Sequence, residues 1–161
     1  MSKSKVRVIA RLVGRIVLLL LLVVGLGLGS LSMFSRRPDN LGHADGRLAP
    51  CPASPNCVST QTDSAEHQMT ALSFSGTPAD ALARLKQVVS KTFPRAVLVR
   101  EEPIYLYYEF RSFLFRFVDD VEFLVDEPAG EIHFRSASRV GHSDMGVNRA
   151  RMTKIAAEFN R

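Results

Sequence analysis

The chain has 161 residues, room for one domain of ordinary globular composition, and a formal net charge of +5. From Arg47 to the C-terminus there are 14 Lys plus Arg and 14 Asp plus Glu, so the whole excess is Lys3, Lys5, Arg7, Arg11 and Arg15. A nucleic-acid binder carries its basic surface on the folded part, so the overall charge excludes nucleic acid as an expected partner.

Residues 1–15 form a basic segment, and residues 16–34 are uncharged and apolar. At 1.5 Å per residue the latter run would span roughly 28 Å as a helix, close to the ~30 Å of a bilayer core. Basic residues ahead of it predict a cytoplasmic N-terminus, a single-pass anchor in the cell inner membrane, and a C-terminal domain facing the periplasm. A cleaved signal peptide is the competing reading, since Gly27-Leu28-Gly29 and Ser30-Leu31-Ser32 offer small residues at a cleavage spacing. Residues 35–47 are polar, without apolar period, and read as a linker. The domain follows over 48–161.

It opens with LAPCPASPNCVSTQ, from Leu48 to Gln61. Pro50, Pro52 and Pro55 exclude a helix or a central strand there. In an oxidising compartment Cys51 and Cys57 most simply form a disulfide. A zinc site would need further ligands, and free thiols, with Cys57 as a nucleophile, stay open as the alternative. No metal or cofactor is called for.

Residues 68–75 alternate weakly and suggest a strand. Thr77 is a good N-cap and Pro78 a good first residue for a helix whose apolar face is Ala81, Leu82, Leu85, Val88 and Val89, ending near Phe93-Pro94. Residues 96–100 form a short strand, 101–103 a turn, and 104–111 another strand. From Phe113 onward alternate residues, through Phe115, Phe117, Asp119, Val121, Phe123 and Val125, predict one inward row. A turn at 127–130 returns the chain through Ile132, Phe134, Ser136 and Ser138. Pairing Asp126 with Glu131 then places Val125 opposite Ile132, Phe123 opposite Phe134, Glu122 opposite Arg135 and Asp119 opposite Ser138. Past Gly141 the pattern becomes helical, with Ser143 or Asp144 as N-cap and Met152, Ile155, Ala156 and Phe159 as the apolar stripe. The expectation is a two-layer α+β domain, an antiparallel sheet with helices on one face (β-α-β-β-β-β-α), preceded by the N-terminal transmembrane helix.

Three phrases carry a resemblance. CPASPNCVS opens the domain, FVDDVEF lies in its middle and RSASRVGHSDMGVNRAR lies near its end. Together they resemble a widespread bacterial family, domain of unknown function 1499, over Leu48 to Phe159. The resemblance implies membership and no activity.

The polar residues sort into three groups. Asp119 interrupts an apolar row and must find partners, for which Ser136 and Ser138 are the expected network. Asp120, Glu122 and Arg135 lie on the opposite face and read as surface ion pairs. Arg139, His142, Ser143, Asn148 and Arg149 straddle a turn and a helix start, where unpaired N–H groups and arginines suit a small anion. The leading expectation is a membrane-anchored, non-catalytic domain that binds such a ligand or an envelope protein. It predicts a pocket lined by aromatics. The rival is an envelope hydrolase using His142 with Asp119 and with Ser143 or Cys57 as nucleophile.

Overall fold

The computed structural model describes residues 3–33, 35–113 and 115–161, with side chains except at 3–6, 8, 10, 28, 29 and 31–33. A first helix, α1 (Lys3–Met33), precedes everything else. From Leu12 to Leu26 its large apolar side chains are exposed. Among the described residues no helix is long and apolar enough to cross a membrane.

The domain is α+β. Its strands are β1 (His43–Ala44), β2 (Arg47–Leu48), β3 (Cys57–Ser59), β4 (Leu72–Ser73), β5 (Val97–Glu102), β6 (Tyr105–Arg111), β7 (Val118–Asp126) and β8 (Glu131–Ser138). β1 and β2 form a small separate ribbon. The main sheet is antiparallel in the order β3-β8-β7-β6-β5, and β4 adds to β8 beside β3. α2 (Pro78–Thr92) and α3 (Val147–Phe159) lie on one face.

Register follows burial. Val125 pairs with Ile132, Phe123 with Phe134, Glu122 with Arg135 and Asp119 with Ser138, as the alternation predicts. A slip of one residue would send Phe123 and Phe134 to the other face. Leu82, Leu85 and Val89 of α2 and Met152, Ile155 and Phe159 of α3 close over Leu106, Val121, Phe123, Ile132 and Phe134. Thr77 caps α2, its Oγ1 accepting from Asp80 N at 3.1 Å, and Pro78 occupies the first turn.

The disulfide Cys51–Cys57 is formed, with Cα atoms 5.7 Å apart. Closing so short a loop is worth about 2 kcal/mol in chain entropy. It delivers Cys57 into β3, an edge strand, where the prolines before it do no harm.

Four expectations need correction. Glu101 and Glu102 are not a turn but the end of β5, paired with Leu106 and Tyr105. β7 begins at Val118 and not at Phe113. Arg111 is already paired with Val118, so 112–117 must turn the chain; Ser112 N donates to Phe117 O at 2.9 Å, Phe117 N donates to Ser112 Oγ at 2.9 Å, and Arg116 takes a left-handed φ of 54°. The strand expected over 68–75 shrinks to Leu72–Ser73 because only those residues reach β8. Residues 35–47 are not a loose tether. They lie across the second face of the sheet, where Gly42 N donates to Glu122 Oε1 at 2.7 Å, Arg37 Nη2 donates to Glu109 Oε1 at 2.8 Å, and Leu41 and Leu48 pack with Tyr105, Tyr107 and Leu124.

Candidate functional site

The residues 135–151 divide between the two faces. On the helix side, Asp119 is buried in the inward row. Its Oδ1 accepts from Ser138 Oγ at 2.5 Å and its Oδ2 pairs with Arg151 of α3. Arg151 also donates to Ser136 Oγ at 3.0 Å and to Asn148 Oδ1, and its guanidinium lies 4.7 Å from the Phe110 ring centroid. Asn148 is fully buried. Its Oδ1 accepts from Ser136 Oγ at 2.6 Å, and its Nδ2 donates to Asn56 O at 3.0 Å and Ser138 Oγ at 3.1 Å. Of the two serines expected beside Asp119, Ser138 bonds it and Ser136 joins the network through Asn148 and Arg151, which is the counter-charge. The spacing of Asn148, Arg151, Met152, Ile155 and Phe159 puts Arg151 on the buried stripe of α3, and that spacing was the available signal.

On the second face, Asp120, Glu122 and Arg135 form ion pairs that are buried and not on the surface. Arg135 Nη1 donates to Glu122 Oε2 at 3.3 Å, and Tyr105 OH donates to Glu122 Oε1 at 2.7 Å. Arg139 Nε donates to Asp120 Oδ2 at 2.9 Å and its Nη2 to Glu109 Oε1 at 2.6 Å. Tyr107 OH donates to Asp120 Oδ1 at 2.6 Å. Covering by 35–48 is what buries them. Burial, and then the carboxylates of Glu122 and Asp120, raise the Tyr105 and Tyr107 phenols well above their ordinary range, so both remain donors. Burial opposes the charge on Arg139, but bonds to Asp120 and Glu109 outweigh it and raise its pKa.

Glu109 couples this face to pH. Burial pushes its carboxyl up, yet hydrogen bonds from Arg37, Arg139 and Arg111 prevail and lower it from 4.5 to about 2. A carboxyl depressed on folding stabilises the native state above its unfolded pKa, and that contribution disappears as pH falls from 4.5 towards 2. The shift corresponds to about 3 kcal/mol. The urea midpoint, followed by tyrosine fluorescence, is expected to fall through this window. Glu109→Gln is expected to be less stable at neutral pH and to show a shallower fall in acid; equal slopes would refute the assignment.

The expected ligand residues are therefore mostly engaged elsewhere. Arg139 and Asn148 are structural. Arg149 donates to the carbonyls of Glu66 at 2.7 Å and Gln68 at 3.0 Å, fastening α3 to the loop before β4. The helix start is occupied by Asp144, whose Oδ2 accepts from Asn148 N at 2.7 Å and whose Oδ1 accepts from Gly146 N at 3.0 Å. An anion there would meet that carboxylate. His142 and Ser143 are exposed in the turn, and Ser143 Oγ accepts from Met145 N at 3.2 Å. Among the described residues His142 has no hydroxyl or carboxylate partner. With the Cys57 thiol consumed and both Asp119 oxygens taken, the hydrolase reading has no assembled nucleophile and base. Among the described residues no cluster of three or more His, Cys, Asp and Glu could hold a metal ion.

Two of the clefts among the described residues are lined by arginines and bear on anion binding at the helix side and the second face. One of about 390 Å³ lies between the linker, the disulfide loop and the end of β8, lined by Pro38, Asn40, Cys51, Arg135 and Arg139 among others. Its arginines already face Asp120, Glu122 and Glu109, so little positive potential is left over. The other, about 360 Å³, opens at the end of β6, between Phe93, Phe110, Arg111 and Ser112 and the first turns of α3 at Val147, Ala150, Arg151 and Lys154. Its floor is aromatic and aliphatic. Arg111 pairs with Glu109 and Arg151 with Asp119, while Lys154, 5.4 Å from the Phe93 ring centroid, has no acidic partner among the described residues. This cleft carries surplus positive charge.

The sequence model of a family described as protein of unknown function (DUF1499) matches residues 47–159. The chain belongs to that family. The matched span covers the main sheet, α2, α3 and the cleft between β6 and α3, and leaves out α1, most of the linker and the linker side of the other cleft. No curated protein and no solved structure matches the chain. Membership in DUF1499 therefore brings no activity with it, and chemistry must be read from the clefts.

Proposed function

We propose that this DUF1499 protein is a membrane-anchored, ligand-binding domain of the cell envelope, held in the inner membrane by residues 16–34 with its folded part in the periplasm. Its ligand is a small amphipathic anion, with a carboxylate or phosphate head and an apolar tail. One observation carries the reading: the cleft between β6 and α3 combines an apolar floor, Phe93, Phe110, Val147 and Ala150, with Arg111, Arg151 and Lys154 and a single, already paired carboxylate, Asp119. An apolar site with a few convergent polar groups is what small-molecule binding requires. The anchor is supported by the five basic residues ahead of an uncharged run, and by the apolar exposure of α1.

The test is a titration of the full chain in nanodiscs with hexyl phosphate, observed through the methyl groups of Val147 and Ala150. Both are expected to shift and saturate, while inorganic phosphate alone binds far more weakly. Lys154→Glu, an exposed substitution on α3, is expected to weaken hexyl phosphate binding about tenfold, equivalent to ~1.4 kcal/mol. Unmoved methyl resonances, or an unchanged affinity in Lys154→Glu, would sink the cleft as the ligand site.

A further inference from the structure

In the β6–β7 connection, Phe113, Phe115 and Phe117 take no part in the two apolar clusters of the domain. Phe113 is 81% exposed, with the Arg95 guanidinium 5.1 Å from its ring centroid. The Phe115 and Phe117 rings lie 5.7 Å apart in the same turn. Apart from α1, the large apolar side chains left exposed among the described residues are Val97, Leu98, Ile104, Phe113, Met145 and Val147. Four of these share one end of the sheet. Val97 pairs with Glu109 beside that turn, and Val147 faces Arg111 and Ser112 across the cleft, two residues after Met145. The basic residues Arg95, Arg111, Arg116 and Lys154 belong to the same end.

The linker says which way this end points. Arg37 is bonded to Glu109 at 2.8 Å, two residues before β6 ends. The chain then runs away from the turn, with Gly42 at Glu122 and His43 against the Tyr105 ring at 5.5 Å. Only four residue steps separate Met33, the end of α1, from Arg37, at most about 14 Å of extended chain. The apolar and basic end is thus the end from which α1 departs.

We infer that the 112–117 turn, led by Phe113, docks into the headgroup layer of the bilayer that holds α1. This rests on the anchored reading above. Aromatic rings rimmed by arginine and lysine are suited to the membrane–water interface and to anionic phospholipids. Docking would hold the mouth of the β6–α3 cleft against the lipid surface and fix the domain's orientation, since 35–48 is already fastened to the sheet.

The chain contains no tryptophan, so a single introduced one reports its own surroundings. The full chain is placed in vesicles of anionic phospholipid, with and without lipids brominated near the headgroup or deep in the acyl chains. Phe113→Trp is expected to show a blue-shifted emission that shallow bromines quench. Ala129→Trp, exposed in the hairpin at the far end of the sheet, is expected to emit as in water and resist quenching. Leu21→Trp in α1 tests the anchor and is expected to be quenched by deep bromines. Leu21→Trp quenched with Phe113→Trp unquenched and water-like would overturn docking and leave the anchor standing. An unquenched Leu21→Trp would remove the anchor and docking with it. Equal quenching of Phe113→Trp and Ala129→Trp would overturn the stated orientation.

Discussion

Asp119→Ala is expected to lower the unfolding free energy by about 3–5 kcal/mol, among the largest effects of any single substitution in the domain. The carboxylate is buried between β7 and α3, and its removal strands the Arg151 guanidinium without a counter-charge. Ser138 Oγ loses its acceptor as well. Arg151→Met should cost a similar amount for the mirror reason, a buried carboxylate left with one hydroxyl. The pair itself is worth much less than either deletion suggests, because both ions lost their hydration on folding. Asp119→Ala with Arg151→Met is therefore expected to be more stable than either single variant. Urea unfolding followed by the fluorescence of Tyr105, Tyr107 and Tyr108, all buried on β6, measures each corner of the cycle. Additive losses in the double variant would show that Asp119 and Arg151 are not coupled.

The same pair marks where sequence reasoning reached and where it stopped. Asp119 was legible as an inward carboxylate because β7 and β8 alternate over their full paired length, and only one register buries Phe123 and Phe134 together. Arg151 reads from the sequence as one more arginine near the helix start, because the helix stripe is legible only through its apolar members. The turn at 112–117 was hidden for a different reason. Phe113, Phe115 and Phe117 continue the two-residue period of β7, so alternation gave no sign that the chain reverses there. The second face was the least legible. Glu109, Asp120, Glu122, Arg135 and Arg139 have the composition of a solvated surface, and what buries them is a polar segment without periodicity. Its grip depends on backbone groups such as Gly42 N and on single residues such as Leu41, which hydropathy patterns do not register.

The candidate site shifted by the same logic. Arg139, Asn148 and Arg149 looked available because they are polar and near a helix start. Each proves to be committed to a carboxylate, a buried amide network or a pair of carbonyls. The residues that line the cleft of surplus positive charge, Phe93, Phe110, Arg111 and Lys154, come from three separate places in the chain. No spacing in the sequence links them; the packing of α2 and α3 on the sheet does.

Arg139→Met is the second large expected effect, and its pH dependence is the sharper part. At neutral pH the loss should be about 3–5 kcal/mol, because Asp120 and Glu109 would share the space around Tyr107 OH with no guanidinium between them. Tyr107 has one proton to donate, so it cannot serve both carboxylates at full strength. Even with Arg37 and Arg111 still bonded to Glu109, the two carboxylates repel more strongly without Arg139, so the folded variant holds a proton more readily than the parent does. Its stability relative to the parent therefore rises as pH falls towards the ordinary carboxylate range. The parent behaves oppositely, since Glu109 there sits at about 2 and its stabilising contribution disappears as pH falls from 4.5 towards that value. The two stability curves are expected to converge in acid. Arg139→Lys should fall between them, keeping the charge but losing the fork that reaches Asp120 and Glu109 together. Unfolding midpoints of parent and variants, measured in urea from neutral pH down to the acid limit of reversibility, decide it. Parallel curves would mean that Arg139 contributes packing and not charge to the second face.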